Sequence, residues 1–318
     1  MKNRLFTTLV ALFVLSESLL GQALYGGVDQ NEQLEAADFP RVTAPAMVRD
    51  DQAAVCYEAI HFWDHFPFAT YTQFSESQLQ QTFVEFVVGM RAATPSASAE
   101  AMGNLMKRAA TNIDSYWFFL ELAEEGLYDP NSPMRDDWLF ESVLRHAVGA
   151  TSPLDETSKM RYRSLLRIVS RNQEGARATD FVYTLPNGAQ RTLYKTPADL
   201  LLLYFYNPGC PECRNVKRVL TSSGYAEALH NIGLLTVVAV HPDEELDEWR
   251  ATLHENPSWW ISAYDKGAKI LSGDLYDLKA IPTLYLLDGA KNVLLKDAPV
   301  EEVVSALSGI YQSVVEQM

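Results

Sequence analysis

The run Leu200-Leu201-Leu202-Leu203-Tyr204-Phe205-Tyr206 constrains the fold more than any other stretch of the chain. No polar residue alternates through it, so neither face of a strand built from it could sit in water. It stops abruptly at Asn207-Pro208-Gly209, where proline and glycine end regular structure. A strand buried on both faces fits these facts, and such strands belong to sheets with helices packed against them. Leu234 to Val240 is a second run of the same kind.

The flanking sequence completes an α/β pattern over residues 175–318. Phe181 to Leu185, the turn Pro186-Asn187-Gly188 and Gln190 to Tyr194 read as a hairpin. Residues 211–230 and 243–254 have helical character, with a further short helix near 266–273. Trp259 to Tyr264, Leu284 to Leu287 and Val293 to Leu295 read as strands, and Glu301 to Val315 as a closing helix.

Before Gly175 the periodicity is different. Leu79, Phe83, Phe86, Val87 and Met90 share one helix face, as do Ile113, Tyr116, Trp117, Leu120 and Leu127. Leu139, Val143, His146 and Ala147 continue the pattern, then Tyr162, Leu165, Leu166 and Val169. Breaks fall at Pro67, Thr94-Pro95-Ser96, the 129–133 segment and Thr151-Ser152-Pro153, where Ser152 reads as the cap of the last helix. Residues 45–174 are therefore expected to form an all-helical domain of five or six helices. Cys56 falls on a helical stripe with Gln52, Ile60 and Trp63 and reads as a buried, inert thiol. His61 and His65 are spaced for a metal on one helix, but no further ligand signature accompanies them, so they read as ordinary polar histidines. Trp117-Phe118-Phe119 and Trp259-Trp260 read as core.

The N-terminus has the layout of a secretory signal over residues 1–23: Lys2 and Arg4, an apolar stretch from Leu5 to Leu15, and the small-x-small pattern Gly21-Gln22-Ala23. Residues 24–44 read as a leader segment. An exported chain, periplasmic if the source is a Gram-negative bacterium, and not membrane-spanning once the signal is cleaved, is the expectation. A net charge of −15 argues against nucleic acid as a partner.

The chemistry concentrates at Cys210-Pro211-Glu212-Cys213. A strand ends, and a helix begins at Cys210, where unpaired N–H groups and the dipole favour the thiolate, the nucleophile of disulfide exchange. Cys213 lies one turn away, able to resolve a mixed disulfide, and Pro211 suits a first helical turn. Glu212 opposes a second negative charge beside the pair, which favours a reductant or isomerase over an oxidant, and it could relay a proton to Cys213. With only three cysteines in the chain, a zinc site has no second pair to complete it. A peroxidase pattern fails at Asn207 and Leu203. No cofactor and no metal are expected. Ala280-Ile281-Pro282-Thr283 enters another apolar strand; a proline there removes a ladder donor, which a cis Ile281–Pro282 bond would explain.

Taken together, the strand–CPEC–helix unit and the distant Ile281-Pro282-Thr283 resemble the thioredoxin-like superfamily. The resemblance implies a mixed central sheet flanked by helices, Cys210 as attacking thiol and Cys213 as resolving thiol. It also implies a client-binding surface made of Pro211, Ile281, Pro282 and Thr283. The hairpin at 175–195, Asn256-Pro257, Tyr264-Asp265 and Leu275-Tyr276-Asp277 are similar to the TlpA/ResA-like exported branch. That likeness implies protein thiols and disulfides as partners and a membrane-bound electron donor. The sequence departs from relatives at Gly209, where many have tryptophan, at Tyr204, where thioredoxin proper has a buried acid, and at Val216, where some have glutamate. Residues 45–174 resemble an uncharacterised helical domain that precedes thioredoxin-like domains in secreted bacterial proteins, on Phe62-Trp63-Asp64-His65-Phe66 and the 127–133 segment. The function expected is an exported thiol–disulfide oxidoreductase. The alternative is a client-binding or scaffold protein whose second domain has little redox activity.

Overall fold

The computed structural model describes residues 35–316, so the signal segment lies outside the described residues. The chain divides into two compact units between Val169 and Ser170.

The first unit is helical. Its elements are α1 (Asp51–His61), α2 (Glu76–Ala92), α3 (Pro95–Ala109), α4 (Ile113–Leu127), α5 (Asp137–Val148) and α6 (Glu156–Val169). Polar caps fix the starts. Asp50 accepts from Ala53 N–H, Ser75 and Gln78 form a reciprocal capping box, and Asn112 accepts from the N–H groups of Asp114 and Ser115. The apolar faces converge on an aromatic core in which Trp63 meets Phe66, Phe86 and Phe119 edge-on. Aromatic rings prefer such edge contacts because the ring rim is positive and the face negative.

Four expectations need correction here. The last helix is capped by Asp155, which accepts from Ser158 N–H at 2.7 Å, whereas Ser152 accepts from Leu154 N–H inside the preceding turn. His61 and His65 do not share a helix, because α1 ends at His61 and the chain turns ahead of Pro67. Asp64 accepts from His61 Nδ1 at 2.8 Å and pairs with Arg108 at 2.6 Å, while His65 is exposed. Cys56 is half-buried, not sealed in the core. Its sulfur accepts from Thr94 N–H at 3.4 Å, the main reason its thiol lies below the ordinary range. Finally, part of the leader is structural: Ala37 and Phe39 belong to the core, and the Arg41 guanidinium lies 3.8 Å from the Phe39 ring centre.

The second unit is a seven-stranded mixed sheet in the order β2-β1-β5-β4-β3-β6-β7. The strands are β1 (Val182–Thr184), β2 (Gln190–Thr192), β3 (Leu200–Phe205), β4 (Leu235–His241), β5 (Ile261–Tyr264), β6 (Thr283–Asp288) and β7 (Val293–Lys296). The helices are α7 (Pro211–Ser222), α8 (Tyr225–Asn231), α9 (Leu246–Thr252), α10 (Lys269–Ser272) and α11 (Val300–Val315). β3 is an interior strand, parallel to β4 on one side and antiparallel to β6 on the other. Side chains alternate along a strand, so Leu201, Leu203 and Phe205 enter one core while Leu202, Tyr204 and Tyr206 enter the other. That double burial is why the run carries no polar residue.

Residues 170–174 go with this second unit. Asn172, at φ +53, donates to the Leu275 carbonyl at 2.8 Å and accepts from Thr179 N–H at 2.7 Å. An asparagine tolerates the left-handed conformation that ends the preceding helix.

Candidate active site

β3 delivers the chain to the site. Beyond Phe205 it runs through Asn207-Pro208 to Gly209, whose φ of +73° turns it into α7. A side chain is excluded there on that ground. The Glu248 carboxylate also occupies the space, since an added Cβ would lie 2.8 Å from its Oε1.

Cys210 is the N-cap of α7, with Pro211 in the first turn. Its sulfur accepts from Cys213 N–H at 3.1 Å, one of the orphan donors of a helix start. Cys210 is half-exposed and Cys213 is buried, so one sulfur faces solvent and the other lies beneath it. The sheet register supplies the opposite wall. Phe205 pairs with Thr283, which sets the Ile281–Pro282 peptide abreast of the cysteine turn, and that peptide is cis. The Ile281 carbonyl lies 3.8 Å from Cys210 Sγ. Thr283 is buried and donates to the Ala280 carbonyl at 2.6 Å, holding the loop. Pro211 is exposed; Ile281 and Pro282 are half-buried.

Glu212 is on the same turn but faces away into solvent, where it accepts from Asn215 Nδ2 at 3.0 Å. Below the pair, Tyr204 donates to the Cys213 carbonyl at 2.6 Å and stacks on Tyr206 with ring centres 5.1 Å apart. Burial, then the hydrogen bond with Cys210, pushes the Cys213 thiol up to about 12; the Asn207 backbone N–H acts in the opposite sense by hydrogen bonding. Burial also pushes the Tyr204 phenol well up, so Tyr204 anchors rather than accepts a proton.

The motif did not disclose its surroundings. Asn207 joins His241 and Asp243, with contacts of 3.1 and 2.8 Å. Lys279 is nearly sealed from water, 3.8 Å from both Asp277 and Asp297, just ahead of the cis peptide. Asn207 and His241, like Lys279 and Asp297, lie far apart in sequence, and only the fold brings them together. Among the described residues no group of three or more metal-ligating side chains gathers, and no helix is long and apolar enough to cross a membrane.

A mixed sheet with a Cys-x-x-Cys helix start facing a cis-proline loop defines a thioredoxin-like class. The comparisons agree. Residues 198–293 match a family described as Thioredoxin-like, and residues 24–172 match a Domain of unknown function (DUF5106). A crystallised thioredoxin-like protein from Bacteroides caccae is 35% identical with a TM-score of 0.81, over 86% of this chain and 98% of that one. The C-terminal domain of an uncharacterized protein from Bacteroides fragilis is 43% identical with a TM-score of 0.42, over 43% of this chain and 98% of that one. The thioredoxin domain of a thiol-disulfide oxidoreductase from Bacteroides vulgatus is 18% identical with a TM-score of 0.39, over 43% of this chain and 97% of that one. No match was found among curated proteins. The chain belongs to the thioredoxin-like proteins that carry a DUF5106 domain in front of the thioredoxin-like domain.

Proposed function

We propose that the protein is an exported thiol–disulfide oxidoreductase of the TlpA/ResA-like kind, acting on protein clients in the periplasm as a reductant or isomerase. The observation that carries the reading is Cys210: a half-exposed sulfur at a helix start, with Cys213 one turn behind it and the Ile281 carbonyl beside the cis-proline in front. Arg214 and Asn215 on the same turn are engaged with the Gly209 carbonyl and Glu212, leaving the sulfur open to a client.

The Cys210 thiolate attacks one sulfur of a client disulfide, forming a Cys210–client disulfide and releasing the other client sulfur as a thiolate. Cys213 loses its proton and attacks Cys210 Sγ. The Cys210–client bond breaks, Cys210–Cys213 forms, and the second client sulfur leaves and takes up a proton. The client gains two electrons and the pair loses two, so a membrane-bound donor must reduce the pair again. The backbone at Ile281, with Pro282 and Thr283, aligns the client strand, and Pro211 forms the rim. Glu212 modulates the charge at that rim from solvent. An isomerase needs no net donor, because the first attack can be reversed on a different client sulfur.

A second reading, a client-binding or scaffold protein with weak redox activity, is favoured by Tyr204, whose hydroxyl sits on the Cys213 carbonyl and whose raised phenol does not take a proton from the thiol. Insulin reduction separates the two. Activity in the wild type that vanishes in Cys210→Ser supports the oxidoreductase, and equally negligible activity in both supports the scaffold. Cys213→Ala should then freeze client mixed disulfides on Cys210, and mass spectrometry of the trapped adducts would name the clients.

A further inference from the structure

His241 ends β4, is 3% exposed, and has an oxygen facing each ring nitrogen. Nδ1 lies 3.1 Å from Asn207 Oδ1 and Nε2 lies 3.1 Å from the Glu245 carbonyl. A carbonyl oxygen only accepts, so Nε2 carries a hydrogen. The other end of the Asn207 amide orients it: Nδ2 donates to Asp243 Oδ2 at 2.8 Å. That leaves Asn207 Oδ1, a second acceptor, against Nδ1. All three contacts are satisfied only when His241, Asn207 and Asp243 together hold one proton more than a neutral imidazole and an ionised carboxylate supply. Turning the amide over merely moves the conflict to Asp243. A side chain at 241 with no donor at the Nδ1 position therefore breaks one contact at Asn207.

Asn207 is where such a loss matters. It lies between β3 and the Cys-Pro-Glu-Cys turn, just ahead of Pro208, Gly209 and Cys210, so whatever fixes its side chain fixes where the turn leaves the strand. The other ionisable groups around the ring are few. Glu245 offers its carbonyl and keeps its side chain exposed. From β5, Tyr264 pairs in register with His241. The next residue, Asp265, donates its N–H to the His241 carbonyl at 2.9 Å, and its buried carboxylate accepts from Ile270 N–H at 2.6 Å. From α9, the Trp249 ring lies nearly parallel to the imidazole at 6.5 Å, and Glu248 is turned to Gly209.

We propose that His241 is a positioning residue for the cysteine turn: it clamps Asn207 through its ring Nδ1 and so sets how readily Cys213 closes the disulfide with Cys210. The inference rests on the redox reading above.

The test is stopped-flow reaction of the reduced full-length chain with the aromatic disulfide dithiobis-nitrobenzoate, in a Cys56→Ser background. Attack by Cys210 releases one coloured thiolate, and closure by Cys213 releases the second. Asparagine places an N–H where histidine has Nδ1, and glutamine places one where it has Nε2. His241→Asn should keep the second phase near the wild-type rate, while His241→Gln should slow it about fivefold, the loss of one hydrogen bond, and leave the first phase unchanged. Equal second phases in the two variants would overturn the inference. A wild type that releases no second thiolate would instead overturn the redox reading, so the two failures are distinct. Asn207→Leu, which abolishes the clamp from the other side, should slow the second phase as His241→Gln does; if it does not, Asn207 is not the link.

Discussion

In the proposed exchange, burial divides the work between the two cysteines. Cys210 is half-exposed at a helix start, with the Cys213 N–H on its sulfur, while Cys213 has burial and its partner sulfur holding its proton in place. For an acid raised in this way, the thiolate is scarce below its own titration, and its fraction climbs tenfold with each pH unit. Closure by Cys213 needs the thiolate. The second thiolate release should therefore accelerate about tenfold per unit from roughly pH 8 to 10, without levelling off. Stopped-flow absorbance across that range measures it, and a plateau by pH 9 would mean that Cys213 titrates much lower. The cysteines and the cis-proline were legible because their chemistry is written locally: a motif after a strand, and a proline where a ladder donor belongs. His241, Asp243 and Lys279 were not, because each acquires meaning only once strand register sets it beside a residue far away in the chain.

At the scale of elements, the same contrast holds. β3 announced itself because burial on both faces leaves no polar position, and α2, α4 and α5 because one helix face is apolar. Helix α3 carries Met102, Leu105 and Met106 deep in the core, yet its other inward positions are Ala97, Ser98, Ala101 and Ala109, too small to give a strong periodic signal. The start of α6 was misplaced because Ser152-Pro153 has the composition of a cap, whereas Asp155 makes the contact. Caps that do engage matter energetically. Asn112 satisfies two backbone donors at once, Asp114 N–H at 2.9 Å and Ser115 N–H at 3.1 Å. Asn112→Ala should lower stability by about 1–2 kcal/mol, with Asn112→Asp close to wild type, read as the shift in a urea unfolding midpoint. A loss in Asn112→Asp as large as in the alanine variant would locate the cost in packing rather than in the cap.

At the scale of the molecule, chemistry and helical bulk are segregated. Cys210, Cys213, His241 and Pro282 all belong to the unit that begins at Ser170. The two cores on the faces of its sheet draw every member from residues beyond that point, and the aromatic core of the helical unit draws every member from before it. The overall charge of −15, with 41 acidic against 26 basic residues, disfavours polyanionic partners for the whole chain. A sheet with both faces covered by its own side chains and helices meets the requirement for folding alone. Residues 170–318, expressed without the helical unit, should therefore unfold in one cooperative transition and release both thiolates from dithiobis-nitrobenzoate within about twofold of full-length rates, as expected for sites that share no core residues. Circular dichroism with the two-phase kinetics decides the matter. A fragment that folds but loses the second phase would give the helical unit a direct part in closing the disulfide. A fragment that folds with both phases intact but no longer reduces insulin would assign that unit to holding the client.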